Sequence, residues 1–427
     1  MKNDTIAALS TPYGRGAVAL IRLSGKESLK VFEKIFMSRE KLEERRAVYG
    51  VVDTGSLKDD VIAILYTSPR SYTGEEVVEI FCHGSTVITE SILRALIKNG
   101  ARYAEKGEFT KRAFENGKLT LTEAEGIIDL IDAQSESAAR AAYNLSSGKL
   151  KEKTKEIADG IKELTANLNA AIDYPEENLE TDEYGECLSK CRKLIKKAKS
   201  LAETYESGKK INDGVNVVIA GKPNVGKSTL LNALVGFERA IVTPQAGTTR
   251  DTVESSYVFD GVLFKVTDTA GVRDDYDSEA ERMGIERSFN AIKGADIVLI
   301  LDDSEYETSA PKIFVGTKCD EIKIPDGRFA VSGKTGENIT ELKKLIYDKA
   351  GVNTGGEILL TNLRQFEALT RCAEALNRAA EGLENKVEAE LITVDLLEAM
   401  SEAGAMDGAA ATSEVVDGIF ARFCVGK

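Results

Sequence analysis

Residues 221–228 read GKPNVGKS, which matches the pattern G-x-x-x-x-G-K-[ST] at every fixed position. A run typical of a strand precedes the motif (VNVVIA, 215–220), and a run typical of a helix follows it (STLLNAL, 228–234). In that setting, backbone N–H groups cradle phosphate oxygens at a helix N-terminus. Lys227 is expected to reach the β- and γ-phosphates, and Ser228 to ligate Mg²⁺. The motif therefore predicts an α/β P-loop domain.

Four later segments come in the order that a GTPase requires: GTTRD at 247–251, DTAG at 268–271, TKCD at 317–320 and SGK at 332–334. The first would bring a threonine hydroxyl to Mg²⁺. In the second, Asp268 would hold the metal through water and the glycine would offer an N–H to the γ-phosphate. Asp320 can accept two N–H bonds from guanine, and a site built for that pairing rejects a base that lacks it. The last segment is the usual base-contacting loop, so the predicted nucleotide is GTP.

Two positions depart from the usual GTPase pattern. Thr317 stands where asparagine is usual; it keeps a hydroxyl but loses the second hydrogen-bonding group of the amide, so some loss of guanine affinity is expected. Val272 stands where Ras-type enzymes carry the glutamine that orients the attacking water. Either hydrolysis is negligible or another group, such as Glu281, positions the water. Residue chemistry alone favours the alternative that Glu281 lies on a solvated helix face.

Length, composition and charge set further limits. The chain has 427 residues, which suggests two to four domains. Its net charge of −14 argues against sequence-blind coating of nucleic acid, although it is compatible with a local basic patch. No apolar run approaches 18 residues, so no membrane span is expected. The six cysteines form no paired C-x-x-C set, which predicts a cytoplasmic protein with reduced thiols and without a zinc site.

The regions outside the P-loop domain differ in character. Residues 1–118 alternate strand-like and helix-like runs, which predicts an α+β module. From residue 119 the pattern is helical: TLTE at 120–123 is a capping box. Apolar residues recur on one helical face at Ile157, Ile161, Leu164, Leu168 and Ile172. Helices resume after the P-loop domain, and the two helical stretches are expected to pack into one bundle. The predicted division is 1–118, 119–210, 211–353 and 354–427, with the Ras-like domain at 211–353 inserted into the helical bundle.

Several motifs together resemble one family over essentially the whole chain. They are SYTGE at 71–75, HG at 83–84, FTKRAF at 109–114, NGKL at 116–119, GTTRD at 247–251 and FCVGK at 423–427. In these motifs the sequence resembles the tRNA-modification GTPase family called MnmE, also TrmE. The P-loop alone would not single out this family, whereas the N-terminal motifs and the terminal Cys-x-Gly-Lys are more specific.

The resemblance implies a role in tRNA modification. A flavoprotein partner (MnmG, also GidA), carrying FAD and NADH, would act with the chain in a heterotetramer or larger complex. Together they would add a carboxymethylaminomethyl-type group to C5 of the wobble uridine (U34) of certain tRNAs. The one-carbon unit would come from 5,10-methylene- or 5-formyl-tetrahydrofolate, bound by an N-terminal module that also forms a homodimer.

The resemblance also assigns site residues. The folate-contacting positions fall on Arg22, Glu79, Lys118 and Lys427, and arginine and lysine suit the glutamyl carboxylates of folate. Cys424 matches a family cysteine proposed to be functional, a structural role being the alternative. His83, the only histidine, is interpreted as shaping a turn rather than as a general base.

For GTP hydrolysis the resemblance implies K⁺ beside the phosphates and G domains that dimerise across the nucleotides. The implied K⁺ ligands are Asn224, Thr243, Gln245 and Thr248. Glu281 would position the water and act with Lys227 in catalysis, and Ser228 and Thr249 would hold Mg²⁺. The nucleotide-binding set comprises Asn224, Val225, Gly226, Lys227, Ser228, Thr229, Thr243, Thr248, Thr249, Asp268, Thr269, Ala270, Gly271, Lys318, Asp320, Ser332, Gly333 and Lys334.

Two other functions stay open at the level of sequence. A ribosome-assembly GTPase would share the P-loop but should carry a basic RNA-binding module, which this acidic chain does not suggest. A folate-binding GTP switch without modification chemistry is the second. No G-x-G-x-x-G follows a strand, so the chain itself is not expected to bind FAD or NAD.

Overall fold

The structure is a computed structural model that describes residues 4–173, 181–236, 255–269, 289–356, 358–408 and 412–427. The chain divides into two compact units. The first comprises Met1–Ile128 with Gly404–Lys427, and the second comprises Asp129–Ala403. The protein is multidomain, as predicted, with an N-terminal α+β module, helices and an α/β P-loop domain. The four-part division with its boundaries stays a prediction.

A seven-stranded sheet forms the framework of the first unit, in the order β3-β4-β5-β6-β2-β1-β7. Its strands are β1 (Thr5–Leu9), β2 (Val18–Ser24), β3 (Phe36–Met37), β4 (Ala47–Asp53), β5 (Lys58–Tyr66), β6 (Val77–His83) and β7 (Ala101–Tyr103). Only the β1–β7 pair is parallel among the described strands of this sheet.

The two faces of this sheet differ because side chains alternate along each strand. One face is covered by helices α1 (Ser28–Glu33) and α2 (Thr86–Lys98) and holds the apolar core of the unit. The other face carries a row of large apolar side chains that are paired across neighbouring strands: Tyr49, Ile62, Phe81 and Leu20. Tyr49 is 66% exposed and Ile62 is 45% exposed, so this row faces outward within the unit.

The remaining helices of the first unit are α3 (Glu108–Glu115), α4 (Leu121–Asp132) and α13 (Ser413–Phe420). The predicted capping box opens α4 and is confirmed: the Thr120 N–H donates to the Glu123 carboxylate at 2.6 Å, and the Glu123 N–H donates to the Thr120 hydroxyl at 3.2 Å. The last residues of the chain pack beside β1 and α3. The Ser10 hydroxyl donates to the Gly426 carbonyl (2.9 Å), and the Phe109 N–H donates to the Lys427 carbonyl (3.2 Å).

The second unit contains a set of packed helices: α5 (Glu136–Ser146), α6 (Lys149–Asp173), α7 (Thr181–Ala202), α8 (Tyr205–Asp213), α11 (Leu363–Glu384) and α12 (Ala389–Asp407). Four members of the predicted apolar stripe on α6, Ile157, Ile161, Leu164 and Leu168, are almost fully buried, and the side chain of Ile172 lies outside the described residues. Helices from both sides of the P-loop domain meet, since the Cys191 thiol of α7 donates to the Leu376 carbonyl of α11 (3.3 Å).

The P-loop domain is built on a six-stranded sheet in the order β13-β12-β11-β8-β10-β9. Its elements are β8 (Val215–Ala220), α9 (Lys227–Val235), β9 (Ser255–Phe259), β10 (Val262–Asp268), β11 (Ile297–Ile300), β12 (Lys312–Gly316), β13 (Phe329–Ala330) and α10 (Ile339–Ala350). β8 is central, with β11 on one side and β10 on the other. In such sheets ligands bind at the carboxyl ends of the strands, where the strand order reverses.

Candidate functional site

The phosphate loop joins the carboxyl end of β8 to the N-terminus of α9. Asn224 (φ 64°) and Gly226 (φ 99°) adopt left-handed backbone conformations, which asparagine and glycine tolerate best. The loop folds around Lys227, which is 5% exposed and donates to the carbonyls of Gly221 (2.7 Å) and Lys222 (2.9 Å). The ammonium group is therefore held inside the loop, where phosphate oxygens bind in P-loop proteins.

Two oxygen donors meet at the first turn of α9. The Ser228 hydroxyl donates to Asp268 Oδ2 at 2.9 Å, and Asp268 is the last residue of β10. A hydroxyl and a carboxylate at this separation are hard oxygen donors of the kind that Mg²⁺ prefers. Two of the three residues that the sequence assigned to the metal, Ser228 and Asp268, are thus adjacent, and their chemistry fits Mg²⁺.

The loops assigned to the base lie at the ends of the next strands. The Ser332 side chain, which is buried, makes a hydrogen bond to Asp320 that lowers the pKa of this carboxyl group. An ionised Asp320 is an acceptor only, as recognition of two guanine N–H groups requires. Lys334 pairs with Glu321 (3.3 Å). A Cβ atom on Gly333 would lie 3.0 Å from the Thr229 carbonyl oxygen, so glycine lets this loop approach α9 closely.

Thr317 has a contact that the sequence did not predict. Its hydroxyl donates to the Val225 carbonyl in the phosphate loop at 2.7 Å. The residue therefore links the loop that reads the base to the loop that holds the phosphates.

Two further residues of this site were missed from the sequence. Asp302, just beyond β11, accepts a hydrogen bond from the Lys222 N–H at 2.8 Å and thereby holds the phosphate loop. Arg328, only 13% exposed, donates to the carbonyls of Ile300 and Val315 at the ends of two strands. A carboxylate that follows a run typical of a buried strand could have pointed to Asp302, whereas no sequence pattern around Arg328 indicated its role.

Part of the predicted site lies outside the residues that the structure describes: Thr243, Gln245, Thr248, Thr249, Ala270, Gly271 and Glu281, as well as Val272. Thr269 lies at the end of β10, where its N–H and its hydroxyl both bond to the Ile219 carbonyl. Lys318 has a left-handed backbone (φ 61°). Within the described part of the chain, the phosphate loop, Asp268, Thr317 and Ser332 are therefore brought together.

A second constellation lies in the first unit. Arg22 and Glu79 are opposite each other on β2 and β6 and form an ion pair at 2.8 Å, with both side chains under 15% exposed. The guanidinium carbon of Arg22 lies 5.1 Å from the ring centre of Tyr72 and 5.7 Å from that of Phe109. Nη1 of Arg22 is buried and has no hydrogen-bond partner in the described part of the chain. This site thus has an unused donor next to aromatic surfaces.

The C-terminal residue joins this constellation. Burial lowers the pKa of Lys427, and the positive charge of Arg22 lowers it further, while Glu79 acts in the opposite direction. The Lys118 ammonium group donates to the Pro69 carbonyl (3.0 Å), in the loop that carries Tyr72, and the Lys118 N–H donates to the Ala113 carbonyl of α3 (2.8 Å). Three of the four predicted folate-contacting residues therefore lie together. Cys424 is exposed, and its carbonyl accepts a hydrogen bond from the Gly107 N–H at 3.4 Å.

A cavity of about 340 Å³ also lies in the first unit, lined by Glu75, Glu105, Glu108, Lys111, Arg112, Glu115 and Asn116. None of the predicted folate-contacting residues lines it. Its lining carries four glutamates against Lys111 and Arg112, so the charge of this cavity is negative on balance.

Comparison with known proteins identifies relatives over the full length. Residues 5–118 match the family model "GTP-binding protein TrmE N-terminus", and residues 121–424 match "MnmE helical domain". The chain is similar to tRNA modification GTPase MnmE of Thermotoga petrophila, with 38% identity over 99% of this chain and 100% of that protein. It is also similar to the protein of the same name from Clostridioides difficile, with 36% identity over 100% and 99%.

The chain also has a match among solved structures. The G domain of the T. maritima FeoB iron transporter is 29% identical and covers 32% of this chain and 98% of that chain, with a TM-score of 0.24. No helix in the described part of the chain has the length and apolar character needed to span a membrane.

Proposed function

The chain belongs to the family of tRNA modification GTPases called MnmE, and we propose that it uses GTP hydrolysis to control a folate-dependent modification of C5 of the wobble uridine (U34) in certain tRNAs. The GTPase role in tRNA modification follows from the family. The observation that carries the proposal further is the cluster of Arg22, Glu79 and Lys427, because it supplies donors and an acceptor suited to a folate.

GTP binding is assigned to the phosphate loop and the base loops. Lys227 and the loop N–H groups bind the phosphates. Ser228 and Thr249 would hold Mg²⁺, with Asp268 holding it through water. Mg²⁺ supplies charge that stabilises the transferring phosphoryl group. Asp320 reads guanine, with Lys318 and the loop at 332–334 closing over the base.

Hydrolysis needs a group that replaces the missing glutamine at Val272. We assign the positioning of the water to Glu281 and assign a K⁺ site to Asn224, Thr243, Gln245 and Thr248. Amide and hydroxyl oxygens suit a hard cation, and Asn224 is exposed on the phosphate loop, where its side chain is accessible. A cation there supplies positive charge beside the phosphates, and dimerisation of the G domains completes the site.

The folate, 5,10-methylene- or 5-formyl-tetrahydrofolate, is assigned to the first unit. Arg22 has an unused donor and Lys427 an ammonium group, and both suit the carboxylates of the glutamyl tail. Glu79 can accept N–H bonds from the pterin edge. Lys118 would contact the folate from the loop that carries Tyr72. Cys424, which is exposed and lies three residues before Lys427, stays a candidate functional thiol.

We also propose the assembly in which this chemistry takes place. The chain forms a homodimer, supported by the outward-facing apolar row Tyr49–Ile62–Phe81–Leu20, and acts in the cytoplasm with a flavoprotein partner, MnmG, that carries FAD and NADH. The redox step belongs to that partner, since the chain has no dinucleotide-binding fingerprint.

Mass spectrometry of wobble nucleosides tests this function. Cells that lack the protein should lose the C5-modified uridine, and wild-type protein should restore it. The double variant Arg22→Gln/Lys427→Gln should restore little of the modified uridine, although the purified variant should keep the GTP turnover of the wild type. Lys98→Gln, a change on the exposed end of α2, is the control and should restore it fully. Normal modification in cells without the protein would contradict the proposal.

A further inference from the structure

Helix α7 carries a concentration of positive charge that the GTPase chemistry does not use. Residues 187–202 contain six lysine or arginine residues and no aspartate or glutamate, in a chain whose net charge is −14. The basic residues are Lys190, Arg192, Lys193, Lys196, Lys197 and Lys199. This segment is therefore opposite in sign to the chain as a whole.

Part of this charge lines a groove between α6 and α7. The groove has a volume of about 490 Å³ and is lined by Lys153, Glu156, Ile157, Lys193, Lys196, Lys197, Ser200 and Leu201. The two helices approach closely at Gly160, where an added Cβ atom would lie 2.6 Å from a methyl carbon of Leu194. Ile157 is buried at the base of the groove, whereas the lysines are exposed.

The groove has a net positive charge even when the ion pairs among its lining residues are taken into account. Glu156 is its one acidic lining residue, and it pairs with Lys153 (3.2 Å) and Lys197 (3.1 Å). The ion pairs of α7 in the described part of the chain involve Lys190, Arg192 and Lys197, and neither Lys193 nor Lys196 takes part in one. They lie three residues apart on α7, so both side chains project from one face of the helix.

We propose that this groove, defined by Lys153, Lys193, Lys196 and Lys197, binds the phosphate backbone of the tRNA. The proposal rests on the proposed function, which makes tRNA the substrate. Lysines on flexible stems neutralise phosphates without reading sequence. The lining has no aromatic side chain on which a base could stack, so backbone contact is the mode that fits. Lysine is depleted at protein–protein interfaces, which favours RNA over an acidic protein as the occupant.

The test measures binding of fluorescently labelled tRNA to the full-length protein by anisotropy at several KCl concentrations. Lys193→Glu/Lys196→Glu should weaken binding at least tenfold near 100 mM salt. Because each lost phosphate contact removes about one unit of the slope of log affinity against log salt, the slope should fall by about two. Lys155→Glu/Lys199→Glu changes the net charge equally at exposed positions of the same helices outside the groove, and should stay within about twofold of wild type.

Any of the following binding results would overturn the proposal. Equal losses in both variants would show an effect of overall charge, and unchanged binding in the groove variant would show that tRNA does not use the groove. Loss of flavoprotein association with intact tRNA binding would assign the surface to a protein partner. Wild-type protein without salt-dependent tRNA binding would also overturn it. The one-carbon chemistry is tested separately by the wobble-nucleoside measurement, and none of these results bears on it. As a control for folding, both variants should have the GTP turnover and the helical content of the wild type.

Discussion

Thr317 shows how one side chain can join two loops of a nucleotide site. Its hydroxyl donates to the Val225 carbonyl at 2.7 Å. Thr317→Val keeps the shape of the side chain and removes the donor. A lost hydrogen bond to a half-buried carbonyl costs about 1 kcal/mol, so affinity for GTP and GDP should fall roughly fivefold. Stopped-flow binding of a fluorescent GDP analogue measures this change.

The control for Thr317→Val is Thr370→Val. Thr370 lies on α11 and donates its hydroxyl to the Phe366 carbonyl at 2.8 Å, within one helix. This change removes the same kind of hydrogen bond and should leave nucleotide affinity unchanged. Equal affinity in the wild type and Thr317→Val would contradict the linking role of Thr317.

His83 is a second residue whose neighbour sets its chemistry. It ends β6, and its Nδ1 lies 2.6 Å from Oδ1 of the buried Asp59, whose hydrogen bond raises the pKa of the imidazole above its ordinary value of 6.5. A raised pKa means that the contact stabilises the fold fully below pH 6.5, and this contribution is lost as the pH rises through the higher folded-state value. Asp59→Asn should therefore lower the pKa of His83.

Proton NMR measures this titration directly, because His83 is the only histidine of the chain. Asp60→Asn, on the same strand, is the control and should shift the pKa much less, since Asp60 is the smallest of the causes acting on His83. An imidazole that titrates at the same pH in the wild type and in Asp59→Asn would disprove the pairing.

At the scale of elements, the C-terminal tail acts as part of the first unit. Gly426 has φ 98°, and a Cβ atom there would lie 2.2 Å from the Leu9 carbonyl oxygen. Gly426→Ala should therefore detach the tail, lower stability by about 1–3 kcal/mol and withdraw Lys427 from Arg22. Titration of the full-length protein with 5-formyl-tetrahydrofolate should show at least tenfold weaker binding, with unchanged GTP turnover.

Gly418→Ala is the matched control for the tail. Gly418 lies inside α13, and nothing lies within 4 Å of a Cβ atom added there. Alanine at such a helical position should raise stability by roughly 0.5–1 kcal/mol and leave folate binding unchanged. If Gly426→Ala binds folate as tightly as Gly418→Ala, the tail does not form part of the folate site.

Local elements were predictable from the sequence because local rules determine them. The capping box at 120–123, the buried stripe of α6 and the strand–loop–helix around Lys227 each follow from residues a few positions apart. Contacts between distant segments were not predictable in this way. The bond from Thr317 to Val225 spans 92 residues, and its partner is a backbone carbonyl, which leaves no trace in the sequence. Arg22, Glu79 and Lys427 could be grouped only through the family resemblance.

At the scale of the whole molecule, the assignment of K⁺ makes hydrolysis depend on the salt present. GTP turnover should be severalfold faster in KCl than in NaCl at matched ionic strength, because K⁺ adds positive charge beside the phosphates. Asn224→Ala should lose this difference while still binding GTP. Equal turnover of the wild type in the two salts would remove K⁺ from the mechanism.

The proposed homodimer depends on the apolar row across the open face of the seven-stranded sheet. Ile62 is 45% exposed and lies between Tyr49 and Phe81, so a second copy of the chain could bury it. Ile62→Lys places a charge in that row and should give a monomer by light scattering. Val87→Lys, at a 68% exposed position of α2, adds the same charge and should leave the dimer intact. The core of the first unit lies on the opposite face of the sheet, so both variants should keep the helix and strand content of the wild type. If Ile62→Lys remains a dimer, the open face that carries Ile62 is not the interface.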